Sequence, residues 1–242
     1  MARIINIETS SKICSVAVTS DGMIEYHVES DHDMEHARLL GKYVENAMAD
    51  MARREVSPDA VAVSAGPGSY TGLRIGMSLA KGLCFANDIP LITINTLEIL
   101  AVKAMFGIRD PRGDELLIPL IDARRMEVYT AAYDFALNAV LPPQSMIIDR
   151  CSFAGLLEHH KCIFIGDGVD KAREIIKHPN ALFATNAMPL AIDMTALSER
   201  AYRTSNFADT AYAVPFYLKE YQATIAQNKV LLDAARSASG QG

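Results

Sequence analysis

Three strand-like segments crowd into the start of the chain, and that crowding constrains the fold more than any other feature. Residues 4–8, 14–19 and 23–30 are separated only by the turn signals Ser10-Ser11-Lys12 and Asp21-Gly22. Neighbours joined so tightly must be antiparallel. A helix is predicted over residues 34–51, with Ala37, Leu40, Val44, Ala47 and Met51 at spacings of three and four and Asp33 as its N-cap. A strand at 60–65, a loop at 66–71, a helix to residue 86, a strand at 91–94 and a helix from Thr96 follow. In this β-β-β-α-β-α-β-α order the later strands are joined by helices, so they lie parallel in a sheet that began as a meander.

After a linker at 107–115 the plan resumes. Strands at 116–121 and 126–133 form a hairpin turning at Asp122-Ala123-Arg124-Arg125. A strand at 162–165 ends in Gly166-Asp167-Gly168 and leads into a helix to Lys177. Another helix covers 190–203, and the last dozen residues read as a frayed tail. The shared strand-hairpin-helix plan suggests duplicated domains, 1–106 and 107–242. Half of the 242 residues are hydrophobic, enough for a sizeable core. No apolar run approaches the ~18 residues of a membrane span, and the start lacks a signal-peptide pattern, so a soluble protein is expected. A net charge of −6 argues against tight binding of tRNA or DNA by this chain alone. Cys14, Cys84, Cys151 and Cys162 form no C-x-x-C pair and read as thiols of a reducing compartment.

The strongest local signal is the loop and helix start from Ser64 to Gly76, Ser-Ala-Gly-Pro-Gly-Ser-Tyr-Thr-Gly-Leu-Arg-Ile-Gly. It misses the Rossmann spacing by one residue at Gly72 and lacks the Gly-Lys-Ser/Thr of a P-loop. A capped tight turn and a site for an anion both fit it. Leu73, Ile75, Met77, Leu79, Ala80, Leu83 and Cys84 surround most of the next helix, leaving Arg74, Ser78 and Lys81 as a narrow polar stripe. Such a helix is covered on two sides, either as the central core helix or by another chain approaching over Gly72, Gly76 and Gly82. Arg74 in the first turn opposes the helix dipole by about half a kcal/mol, so an anionic partner is expected. His32-Asp-Met-Glu-His36 fits the H-x-x-E-H pattern, but with the first histidine ahead of the helix a solvated helix start accounts for it better than a metal. Ser78-Leu-Ala-Lys81 matches S-x-x-K without the motifs that accompany it in acylating enzymes. Asp122, Arg124, Arg125 and Glu127 read as a turn with internal ion pairs, or as a grip on a partner. Gly166-Asp167-Gly168 is placed to abut a nucleotide, or is an ordinary turn. His159, His160 and His178 are given no role.

The stretch from Gly66 to Gly76, with Ala80-Lys-Gly-Leu83, closely resembles the signature of the TsaB (YeaZ) family. Ile7-Glu-Thr-Ser10, Cys14-Ser-Val-Ala17, Glu35-His36, Leu39-Leu40, Asp122-Ala-Arg124, Glu127-Val-Tyr129 and Pro215-Phe-Tyr-Leu218 extend the likeness along most of the chain. The resemblance implies an α/β fold of the actin/sugar kinase/Hsp70-like (ASKHA, ribonuclease H-like) class, with duplicated domains and mixed sheets. It implies a cytoplasmic, non-catalytic subunit for the threonylcarbamoyl (t6A) modification of adenosine 37 in tRNAs reading ANN codons. That subunit pairs with the catalytic paralogue TsaD, recruits the ATPase TsaE, forms a homodimer in isolation and meets tRNA only through the complex. The pairing surface carried over comprises His36, Leu40 and Tyr43 on the first helix and Thr71, Gly72, Leu73, Arg74, Gly76 and Met77 on the second. Glu8, Thr9 and Ser10, with Gly166, Asp167 and Gly168, stand where a nucleotide would sit in a catalytic relative. Glu8 replaces the family's usual aspartate, and the Asp-x-Gly of a phosphate hairpin is missing, so the site is expected to be degenerate. No catalytic residue, no metal and no tightly bound cofactor are expected, with ATP or ADP placed at the complex interface. The competing readings are an active ATP-dependent kinase or ATPase of the same fold and, behind it, a metallopeptidase using His32, Glu35 and His36.

Overall fold

A computed structural model describes residues 2–30, 36–108, 111–184 and 187–218. Its first sheet is built from β1 (Arg3–Glu8), β2 (Cys14–Ser20), β3 (Met23–Ser30), β4 (Ala60–Gly66) and β5 (Leu91–Asn95), in the order β3-β2-β1-β4-β5. The meander β1–β2–β3 is antiparallel, while β4 lies parallel to β1 and β5 to β4. The intervening helices are α1 (His36–Arg53), α2 (Tyr70–Asn87) and α3 (Thr96–Gly107). The expected order and directions of this half are all present. The Asp33 cap, His32, Glu35 and the side chain of His36 lie outside the described residues, as does the tail beyond residue 218.

The second sheet repeats the first. It contains β6 (Leu116–Asp122), β7 (Glu127–Tyr133), β8 (Ala139–Ile147), β9 (Cys162–Ile165) and β10 (Ala181–Phe183), in the order β10-β9-β6-β7-β8. Strand for strand this is the first sheet again: an antiparallel meander followed by two parallel strands. Its helices are α4 (Ala154–Leu157), α5 (Val169–Ile175) and α6 (Thr195–Arg203), the last preceded by a 3-10 turn at Ala191–Met194. The resemblance's implied class, a duplicated α/β fold with mixed sheets, is therefore the observed one. Two strands escape the sequence reading. Pro142 and Pro143 fall inside β8, and proline removes a ladder donor, so the segment does not read as a strand; it survives because β8 is a sheet edge. β10 has only three residues, too few for a periodicity.

Period-two alternation explains the layers. Ile5, Ile7, Val61, Val63 and Leu91 point to Leu40, Val44, Ala47 and Met51 of α1 and to Met77, Ala80 and Cys84 of α2. The opposite face, Ile4, Ala60, Ala62, Ile92 and Ile94, packs on Ile99 and Val102 of α3, on Met194 of the 3-10 turn and on Leu197 of α6. The other side of α3, with Leu97, Leu100, Ala101 and Ala104, packs on Leu117, Ile121, Ala131 and Tyr133 of the second sheet. The helix clasped on two sides by this chain's own sheets is thus α3. On α2 one side is core, while Ile75, Leu79 and Leu83 are only half-buried and Phe85 is 88% exposed.

Candidate functional site

The carboxyl ends of β1, β4, β5, β6 and β9 converge on a cleft of about 940 Å3 between the two sheets, the position where open α/β folds bind ligands. The turn Ser10-Ser11-Lys12 and its counterpart in the second sheet, 122–127, both line it. So do the start of α2, Thr96 of α3 and Asp167 of the turn after β9.

Of the residues assigned to a degenerate nucleotide site, Ser10 and Asp167 line the cleft, and Glu8, Thr9, Gly166 and Gly168 do not. Glu8 is fully buried; Ser10 N–H donates to its Oε1 at 2.5 Å, and its Oε2 has no hydrogen-bond partner among the described residues. Burial pushes this carboxyl up to about 7, against the pull of hydrogen bonds from Ser10 and Ser64. Thr9 Oγ1 donates to the Gly72 carbonyl at 2.9 Å, tying the β1–β2 turn to α2. Gly166 has φ +119°, and a Cβ there would fall against the Leu120 carbonyl, so this glycine lets the β9–α5 turn lie on β6. Gly168 donates its N–H to the same carbonyl at 3.0 Å.

The α2 start is a capped turn. Ser69 Oγ accepts from Gly72 N–H at 3.2 Å, and Ser69 N–H donates to the Ser10 carbonyl at 2.6 Å. A Cβ on Gly72 would meet the Thr9 carbonyl, and one on Gly76 would meet Thr9 Oγ1. These two glycines are accounted for by close approach within the chain, which corrects their reading as room for a second helix. Leu40, Leu73 and Met77 of the carried-over pairing surface are buried as well, two of them in the core beneath α1 and α2. Among the described side chains of that surface, Thr71 and Arg74 are exposed and Tyr43 is half-buried.

The polar stripe of α2 holds the chain's own C-terminal segment. Lys81 Nζ donates to the carbonyls of Ala211 and Ala213 at 2.9 and 3.1 Å, and Phe216 N–H donates to the Ala65 carbonyl at 2.6 Å. Ala208 bridges to Leu91, the first residue of edge strand β5. Arg74 sits 4.0 Å over the Tyr70 ring and donates from Nε to the Tyr217 hydroxyl at 3.1 Å. Its expected anionic partner is thus replaced, among the described residues, by two aromatic rings and a phenol. Sequence reasoning missed this strap because no periodicity marks residues 207–218; the motif Pro215-Phe-Tyr-Leu218 was the one available sign.

In the second turn, Asp122 is held rather than free. Its Oδ1 accepts from Lys171 Nζ at 2.6 Å and from the Arg124 N–H at 2.5 Å, and its own N–H donates to Asp167 Oδ1 at 2.7 Å. Burial raises the Asp167 carboxyl from its ordinary value, and the neighbouring Asp122 charge adds to the effect. Arg124 and Arg125 both take left-handed backbone, with φ of +71° and +52°. The expected ion pairs of this turn thus run to Lys171, not to its arginines.

Two related mixed sheets that share one strand order and meet at a cleft lined by parallel-strand ends define a duplicated α/β protein of the actin/sugar kinase/Hsp70-like class. The family model for TsaD, tRNA N6-adenosine threonylcarbamoyltransferase, matches residues 30–228. The "tRNA threonylcarbamoyladenosine biosynthesis protein TsaB" of Escherichia coli (strain K12) is 27% identical, over 90% of this chain and 94% of that one. The Bacillus subtilis (strain 168) protein of the same name is 32% identical, over 60% of this chain and 62% of its own length. Among solved structures, YeaZ from Pseudomonas aeruginosa superposes with a TM-score of 0.76 at 25% identity, covering 90% of this chain and 100% of that one. The chain belongs to this threonylcarbamoyltransferase family, on its TsaB (YeaZ) branch.

Proposed function

We propose that this chain is a non-catalytic subunit in making the threonylcarbamoyl (t6A) modification of tRNA. It pairs with a TsaD subunit, which performs the transfer, and the pair is joined by the ATPase TsaE. The observation that carries the reading is Glu8. At the turn where a catalytic relative needs a charged carboxylate and a glycine hairpin to hold a metal–phosphate group, this chain has a carboxyl sealed in the core, with an ionisation pushed to about 7. Of the other carboxylates lining the cleft's second turn, Asp122 pairs with Lys171 and Asp167 accepts from the Asp122 N–H.

Pairing is assigned to the α1–α2 face, through Tyr43, Thr71 and Arg74 and the half-buried apolar row Ile75, Leu79 and Leu83. The same face supports a homodimer when TsaD is absent. With a net charge of −6, this subunit leaves tRNA to its partners.

Reconstitution tests the assignment. TsaD, TsaE, threonylcarbamoyl-adenylate and an unmodified tRNA transcript should yield t6A only when this chain is added. Glu8→Gln, which keeps the fold and removes the carboxylate, should support the same yield. Turnover by this chain without TsaD, or loss of all yield with a folded Glu8→Gln protein, would contradict the non-catalytic role.

A further inference from the structure

We infer that the stripe of α2 carrying Arg74 and Lys81 docks a carboxylate-bearing segment of the partner subunit, and that the strap at 207–218 is its resident competitor, displaced when the partner arrives. The inference rests on the pairing role assigned to the α1–α2 face. It adds to that role the chemistry of the partner and a brake built into this chain.

Arg74 and Lys81 are the only charged side chains of α2, two turns apart on one stripe. Among the described residues neither meets a carboxylate. Lys81 Nζ donates to the backbone carbonyls of Ala211 and Ala213, and Arg74 Nε to the Tyr217 hydroxyl. A cation bonded to a carboxylate is held roughly twice as strongly as one bonded to a neutral acceptor. An acidic partner therefore offers both side chains more than the strap does. The same helix carries the half-buried row Ile75, Leu79 and Leu83, so a subunit that covers this row comes within reach of both cations.

The strap is shaped to hold Lys81, yet it is lightly held itself. Asp209 Oδ1 accepts from the N–H groups of Ala211 and Tyr212 at 2.8 and 3.1 Å, and the Asp209 carbonyl accepts from Ala213 N–H at 2.8 Å. This turn brings the carbonyls of Ala211 and Ala213 to one ammonium. At its two ends, Ala208 N–H donates to the Leu91 carbonyl and Phe216 N–H to the Ala65 carbonyl. No residue from Phe207 to Leu218 is fully buried, and Tyr212 and Val214 are 82% and 72% exposed. Segments that bury so little apolar surface open at low free-energy cost. While the strap is docked it lowers the apparent affinity for the partner by the fraction of chains left uncovered, so weakening the strap strengthens pairing.

Hydrogen exchange and binding measurements on the full chain with TsaD from the same organism test this. Saturating TsaD should raise the exchange of the Ala208 and Phe216 amides at least about threefold, with those of β1 and β4 unchanged. Tyr217→Leu and Asp209→Ala alter the strap and leave α2 intact, and each should tighten pairing by at least about threefold. Asp209→Asn removes the same charge but keeps the Oδ1 acceptor, so its affinity should lie much nearer the wild type than that of Asp209→Ala. Strap amides equally or better protected in the complex would overturn the inference and leave the pairing role standing. Pairing that is unchanged or weaker in both Tyr217→Leu and Asp209→Ala would do the same, as would Asp209→Asn matching Asp209→Ala. Failure of the wild type and both strap variants to bind TsaD would overturn the inference and the pairing role together.

Discussion

At the residue scale, Glu8 and Gly76 make the sharpest commitments. A carboxyl whose folded pKa of about 7 lies above its ordinary value of 4.5 holds its proton more tightly in the folded state. Its stabilising contribution is therefore complete below the lower value and is lost as pH rises through the higher one. The difference corresponds to about 3 kcal/mol for a group so fully buried. Between about pH 5 and about pH 8, urea unfolding of the wild type should show stability falling more steeply than in Glu8→Gln, by roughly that amount. Burial raises Asp167 in both proteins and Asp193 couples to Glu8 through its charge, so the excess slope of the wild type belongs to Glu8 and its coupling, and parallel profiles would contradict the assignment. Gly76→Ala gains up to about 1 kcal/mol in helix propensity but drives a methyl into Thr9 Oγ1; a net loss of about 1–2 kcal/mol is expected. In a Thr9→Ala background the same change should cost clearly less, and an unchanged cost would show that the contact does not set the glycine. The sequence marked Gly76 as a place of close approach; the approaching group, sixty-seven positions earlier in the chain, was beyond any local pattern.

At the scale of elements, the chain's two helices with apolar character nearly all round have different fates. α3 is wedged between two sheets and uses its whole circumference. α2 offers one side to the core, its polar stripe to the strap at 207–218, and a half-buried row at Ile75, Leu79 and Leu83. Hydrophobic spacing identifies such helices but cannot say whether the second cover is a sheet, a strap or another chain. Lys81 donates to two strap carbonyls, beside the apolar contacts of Ala208 and Ala213 and the Tyr70–Tyr217 ring pair, so Lys81→Met should loosen it. Hydrogen exchange of the amides of Ala213 and Phe216 should rise by about tenfold, with that of β1 and β4 unchanged. Equal protection in both proteins would mean that apolar contacts, not Lys81, hold the segment. Edge strand β8 shows the converse limit, because its two prolines hide a strand that only its position at the sheet edge permits.

At the scale of the whole molecule, the shared strand-hairpin-helix plan suggested duplication from local signals, although β8 and β10, which complete the repeat, were not read from the sequence. Nor was the cleft legible. Ser10, Ser69, Thr96, Arg124 and Asp167 belong to five separate turns, and only the superposed topology of two sheets brings them to one space. On the face proposed for pairing, Leu40, Leu73 and Met77 are core, and among the described side chains Tyr43, Thr71 and Arg74 stay outside. Arg74→Glu is accordingly the informative variant: an acidic residue in the first turn suits the helix dipole, and since the change also gives up the contacts to Tyr70 and Tyr217, an unchanged melting temperature is the control for the fold. The central claim, that this chain acts by pairing, is tested most directly by size-exclusion chromatography with light scattering, on the chain alone and mixed with TsaD from the same organism. The account predicts a homodimer that gives way to a heterodimer, with Arg74→Glu monomeric, folded and unable to pair. A wild-type chain that stays monomeric and elutes apart from TsaD would contradict it.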